Sequence, residues 1–174
     1  MTFRAAHIPE RAGSATGKFE ILEMDEHHAK ASAFNMLFMT WRLHTHEDAY
    51  RRAIRLAEQL ASRFSGGIGV FHVVEVEAIP PGPGTRRAFV DFLRLPCVKH
   101  FSVAHEGVGF KAASVRAIVA GVHALSRPTC EHSVHKSIEL AGAWHAKQQS
   151  LLGRQETARQ IVENMQALRA AHRK

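Results

Sequence analysis

At 174 residues, 45% of them hydrophobic, the chain is long enough for one compact domain with a sizeable core. No run approaches the roughly 20 apolar residues of a membrane span, no apolar signal core opens the sequence, and two cysteines, Cys97 and Cys130, are too few for a disulfide scaffold, so a cytoplasmic protein without membrane insertion is expected. The net charge of +7 gathers toward the C-terminus, where Lys147, Arg154, Arg159, Arg169, Arg173 and Lys174 face only Glu156 and Glu163, and with 7% aromatics this reads as a solvated basic tail, not a nucleic-acid footprint.

Residues 1–18 mix proline, glycine and scattered charge without periodicity, which predicts a flexible N-terminal arm. FEILEM (19–24) alternates as a short strand. DEHHAKAS (25–32) is polar enough for a turn, and AFNMLFMTWRL (33–43) reads as a second, longer strand covered on both faces. Thr45 is the expected N-cap of a helix, with Asp48 three residues on in a capping-box-like pattern. In that helix Tyr50, Ile54, Ala57, Leu60, Ala61 and Phe64 form the apolar stripe, and Gly66–Gly67 end it.

IGVFHVVEVEA (68–78) is a near-continuous apolar run ending in two glutamates, the pattern of a central strand with a polar end. IPPGPG (79–84) predicts a rigid, extended connection, because proline fixes its own dihedral and biases the residue before it. Thr85 is placed as the cap of a short helix burying Ala88, Phe89, Phe92 and Leu93, and Pro96 closes it. The stretch 101–125 reads as a buried strand, a turn at Gly107 and Gly109, and an almost wholly apolar helix from Phe110. CEHSVHK (130–136) is a weak edge strand, and 137–148 a helix with Leu140, Ala141 and Trp144 on one face. From Arg154 a last helix spaces Ala158, Ile161, Val162, Met165 and Leu168 helically. It should bury that stripe on this domain or on a second copy, the homodimer alternative.

Strands alternating with helices imply an α/β fold with a largely parallel sheet, the first two strands pairing as an antiparallel hairpin. IGVFHVVEVEAIPPGP, VKHFSVAHEGVGFKAASVRAIVAG and SVHKSIELAGAWHA, within 19–148, together resemble the STAS domain of anti-sigma-factor antagonists and sulfate-transporter tails. That resemblance implies a mixed four- to five-stranded sheet in the order β-β-α-β-α-β-α-β-α, with 149–174 as an extra C-terminal helical extension. It further implies a non-enzymatic interaction or regulatory module whose partner is another protein. Phosphorylated members of that family open the helix after the corresponding strand with a serine or threonine. Here Glu106-Gly107-Val108-Gly109 stands instead, with no hydroxyl before Ser114, so no phosphorylation switch is expected.

Strand ends and the loops after them carry ligands in open parallel sheets. The expected binding surface is therefore Pro80, Pro81 and Pro83 in one loop and Glu106, Gly107, Gly109, Phe110 and Lys111 in the next, with helix-start amides suited to an acidic group. The Gly107-x-Gly109 turn leaves a small-ligand or nucleotide-binding reading as the alternative. Glu75 and Glu77 at one strand end and His105 and Glu106 at its neighbour could do acid–base work, but no nucleophile or oxyanion loop accompanies them, and no catalytic residue is assigned. His44-x-His46 and Cys130-x-His132-x-x-His135 offer metal-ligand pairs without a matching second pair. They read as ordinary surface histidines, with a His-based metal enzyme as the weaker alternative and no cofactor or metal assigned.

Overall fold

The structure is a computed structural model, and it describes residues 17–109 and 130–174, with 113, 117 and 121 between them. Most of the expected N-terminal arm and of the helix at 110–125, Phe110 and Lys111 included, lies outside the described residues.

Six strands form one mixed sheet in chain order: β1 (Glu20–Met24), β2 (His28–Ala33), β3 (Met36–Trp41), β4 (Ile68–Val74), β5 (Val98–Ala104) and β6 (Glu131–His135). The pairs β1–β2 and β2–β3 are antiparallel, and β3 to β6 run parallel. Among the described residues four helices complete the fold: α1 (Glu47–Ala61), α2 (Pro83–Leu93), α3 (Ile138–Leu151) and α4 (Ala158–His172). Crossovers β3-α1-β4 and β4-α2-β5 advance in one direction across the sheet, and a common hand puts both helices on one face. There Tyr50, Ala53, Phe89 and Phe92 meet Met39, Trp41, Val70 and Phe101. α3 and α4 cover the other face through Ile138, Ala141, Ile161, Met165 and Leu168, against Ala29, Ala31, Phe38, Phe71 and Val73.

The alpha/beta class and the mixed sheet follow expectation, but the sheet has one strand more than the upper expected number. HAKASA, placed in a turn because of its polar residues, is β2, and every one of its residues is buried. Its alanines line the α3–α4 side, while His28 stacks on Trp41 at 5.2 Å between ring centroids and Lys30 Nζ lies 5.6 Å from the same ring. Lys30 also donates to Glu23 at 3.0 Å. Burial lowers the Lys30 ammonium to about 8 against the pull of Glu23. Burial would raise Glu23 in turn, but His28 and Lys30 override it and hold that carboxyl well below its ordinary range. A two-residue turn at Phe34–Asn35 then splits the expected 33–43 strand, Phe34 taking φ 57°, the sign a type II′ hairpin demands at that position.

Helix starts also moved. α1 is capped by His46 with no side-chain hydrogen bond, and the Thr45 carbonyl accepts from Thr85 Oγ1 at 3.0 Å. Since that hydroxyl is engaged there, α2 begins two residues before Thr85, with Pro83 in its first turn, where a missing N–H costs nothing. On α3 the inward face is Ile138, Ala141, His145 and Gln149, while Leu140 is 47% exposed. Of the expected Leu140–Ala141–Trp144 face only Ala141 is fully buried, and His145 and Gln149 turn inward because they have polar partners there.

Those partners form a chain. Ser102 Oγ lies 2.7 Å from His145 Nε2, and His145 Nδ1 lies 2.8 Å from His100 Nδ1. Gln149 Nε2 donates to Asn35 Oδ1 at 2.6 Å, and Asn35 Nδ2 to the Gly67 carbonyl at 3.1 Å. The His100 ring occupies the space a Cβ on Gly69 would need, so residue 69 has to be glycine. α4 packs its stripe on β2 and β3 of the same chain, starting from a capping box in which Thr157 and Gln160 bond reciprocally. It begins at Ala158 and not at Arg154.

Candidate functional site

Parallel β3, β4 and β5 end at one edge of the sheet, and the β1–β2 turn returns to it, since His28 pairs with Trp41. Segments 42–46, 75–82 and 105–109 all leave from there. Glu75 follows the last residue of β4, its amide held by the Trp41 carbonyl at 2.8 Å. Its side chain is 6% exposed and receives a forked pair from Arg169, Nε to Oε1 at 2.6 Å and Nη2 to Oε2 at 2.7 Å. Arg169 Nη1 donates to Glu106 Oε2 at 2.8 Å, and Glu106 Oε1 accepts from the Ile138 amide at 3.3 Å. Arg173, one turn further along α4, adds a 3.1 Å bond to Glu75. One guanidinium thus joins the ends of β4 and β5 to the start of α3.

Burial alone would raise the Glu75 carboxyl, but the Arg169 hydrogen bonds and charge, helped by Arg173, hold it below its ordinary value. Hydrogen bonding to Glu75 in turn raises Arg169 above its ordinary value, against its own burial. His172 is lowered by burial and stays neutral near pH 7. In the tautomer that satisfies both neighbours, Nδ1 accepts from Thr40 Oγ1 at 2.8 Å and Nε2 donates to the Asp25 carbonyl at 3.0 Å. Arg42 Nη1 donates to the His172 carbonyl at 3.2 Å, a cation at the negative end of α4.

These groups border a cleft of about 300 Å³ lined by Arg42, Leu43, Glu75, Glu77, Arg169, His172 and Arg173. Arg169 is committed to Glu75 and Glu106, while Arg42 and Arg173 each make one side-chain hydrogen bond here and keep further N–H donors. Exposed apolar residues stand on the same edge: Val76 and Ile79, each 48% exposed, and Val108 at 91%.

Pro80 and Pro81 leave this edge on the loop after β4, and Arg86 Nε donates to the Pro81 carbonyl at 2.9 Å. Pro83 lies inside α2. Glu106, Gly107 and Gly109 leave the same edge from β5, Gly109 with φ 76°. Glu106, however, is tied to Arg169 and Ile138, and none of the expected binding residues that the structure describes lines the cleft. Sequence reasoning missed Arg42, Arg169, His172 and Arg173. The available signal was faint: Arg169 and Arg173 lie one turn apart at the end of an amphipathic helix, but Arg169 is 94 residues from Glu75.

Elsewhere Ser102, His145 and His100 have the order of a hydroxyl–imidazole relay. All three are at most 1% exposed, so no substrate reaches the hydroxyl. Burial lowers His100 to about 4, against the Gln149 side chain, and drives His145 well below its ordinary value, assisted by His100. This cluster is structural. Cys97 and Cys130 are free thiols, and burial pushes Cys130 up to about 11. Among the described residues no helix is long and apolar enough to cross a membrane. No protein-family model, no curated protein and no solved structure matches the chain.

Proposed function

We propose that the chain is a non-enzymatic, STAS-like interaction or regulatory module of the cytoplasm, without the family's phosphorylatable switch, which binds a partner protein through the C-terminal edge of its parallel strands. The observation that carries this reading is the cleft bordered by Arg42 and Arg173 and backed by the Glu75–Arg169–Glu106 array. A general acid or base works best with a pKa near the operating pH. Glu75 and Arg169 are instead driven away from neutrality, and both nitrogens of His172 are engaged. The array therefore suits recognition better than proton transfer. Arg42 and Arg173 match a carboxylate, since guanidinium pairs with planar oxyanions bidentately. Val76, Ile79 and Val108 offer apolar contact around it, so an acidic side chain flanked by apolar residues is the expected partner feature.

A small anion is the second reading, favoured by the cleft volume, which lies at the lower end for small-ligand sites. Co-purification from the native host compares the wild type with Arg42→Gln/Arg173→Gln and with Lys99→Glu on the opposite edge, each checked for an unchanged melting temperature. Protein-interaction function predicts one partner retained by the wild type and Lys99→Glu and lost from the double variant. A partner held equally by all three contradicts it. Stabilisation of the wild type by small carboxylates, with no partner captured, favours the second reading.

A further inference from the structure

We infer that the cleft takes a small zwitterion of the amino-acid class, its carboxylate on Arg42 and Arg173 and its ammonium group on Glu77. Both signs of charge line this cleft. Of its two carboxylates, Glu75 is spent on Arg169 and Arg173. Glu77 is exposed, and among the described residues its carboxylate enters no ion pair or hydrogen bond. The two cations are drawn the other way: Arg42 donates to the His172 carbonyl at 3.2 Å, and Arg173 to Glu75 at 3.1 Å. Opposite charges therefore share one cleft without meeting, each with bonding capacity to spare.

The backbone fixes Glu77 against Arg42. The Glu75 amide donates to the Trp41 carbonyl at 2.8 Å, and the Ile79 amide to the Leu43 carbonyl at 2.8 Å. Residues 75–79 are thus pinned on both sides of Arg42, with Glu77 midway between the pins. Within that span the Ala78 amide donates to the Glu75 carbonyl at 3.1 Å, which closes a tight turn and puts Glu77 at its third position. Ala78 is buried and anchors the turn. The chain that carries Glu77 is therefore in place before a ligand arrives, and less ordering is lost on binding.

This arrangement selects among anions. Guanidinium groups pair with a carboxylate through parallel N–H donors, but a ligand carrying only negative charge also meets the like charge of Glu77. A phosphate or dicarboxylate meets it more strongly. A ligand with an ammonium group beside its carboxylate turns that repulsion into a second bond. The volume of about 300 Å³ lies at the lower end for small-ligand sites, which suits a molecule of amino-acid size. The inference rests on the reading, common to both functions above, of Arg42 and Arg173 as carboxylate-binding groups, and it adds Glu77 as the residue that sets specificity.

The test is an NMR titration of the full-length chain at low ionic strength with matched pairs that differ only in the ammonium group: glycine and acetate, β-alanine and propionate, γ-aminobutyrate and butyrate. At least one zwitterion should bind roughly three- to tenfold more tightly than its partner, the range between an exposed ion pair and a charge-assisted hydrogen bond. Its amide shifts should fall in residues 42–43, 75–79 and the last turn of α4. Glu77→Gln, with an unchanged melting temperature, should remove the preference and keep the carboxylate affinity. Arg42→Gln/Arg173→Gln should lose both members of the pair, and Lys99→Glu on the opposite edge should lose neither. A preference that survives Glu77→Gln, or carboxylates that bind as tightly as every zwitterion, overturns this inference and leaves the carboxylate-binding reading standing. No saturable binding by any member, or binding that persists in the double arginine variant, overturns both.

Discussion

Arg169 is the residue on which the edge depends. Its partner Glu75 is 6% exposed, and removing one member of a buried ion pair leaves an uncompensated charge at a cost of about 3–5 kcal/mol. Arg169→Ala should therefore destabilise by about that amount in urea denaturation, whereas Glu75→Leu combined with Arg169→Met should recover most of the loss. If the single variant melts like the wild type, the pair contributes nothing. The histidines set a separate pH dependence. His100 titrates at about 4 in the folded chain and at about 6.5 when unfolded. Between these values the unfolded state binds more protons, so stability is full above about pH 6.5 and declines as pH falls toward 4. Over that window His100 alone accounts for about 3 kcal/mol. His100→Gln should flatten this decline in denaturation measured at stepped pH, and an unaltered slope would refute the assignment. In the sequence, Glu75, His105 and Glu106 were legible as strand-end polar groups. Arg169, the partner of Glu75 and Glu106, was not, because no local pattern links residues 94 and 63 positions apart.

At the scale of elements, apolar periodicity located β1, β4, β5, α1 and α4, and failed where polar residues are buried. β2 was lost because His28, Lys30 and Ser32 resemble turn chemistry, and nothing local shows that Glu23 and Trp41 cover His28 and Lys30. The inward face of α3 was misjudged for the same reason, since His145 and Gln149 are core residues only by virtue of Ser102, His100 and Asn35. Pro83 shows a different limit: proline serves an extended loop and a first helical turn equally well. α4 was read correctly as a helix in need of a surface, and it found one on its own chain. Ile161, Met165 and Leu168 are fully buried there. Thr157→Ala should cost about 1 kcal/mol through loss of the cap. Truncation after Gln149 should abolish the cooperative melt without a prior change of oligomer mass. A truncated chain that melts normally would show the helix to be dispensable.

For the molecule as a whole, the parallel order of β3 to β6 brings four separate segments to one edge, and α4 crosses the other face to deliver two arginines there. Open sheets present their ligand sites at this edge, and here it gathers the Glu75–Arg169–Glu106 array and the cleft. The chain's charge belongs to this geometry too, since Arg169 and Arg173, read from sequence as part of a solvated tail, stand at the cleft. Hydrogen–deuterium exchange on the complex with the co-purified partner tests the edge most directly. The expected result is slowed exchange concentrated in residues 42–46, 75–82 and 105–109 and the last turn of α4. Protection confined to the outer faces of α1 and α2, or to the β1 edge, with those segments unchanged, would contradict it.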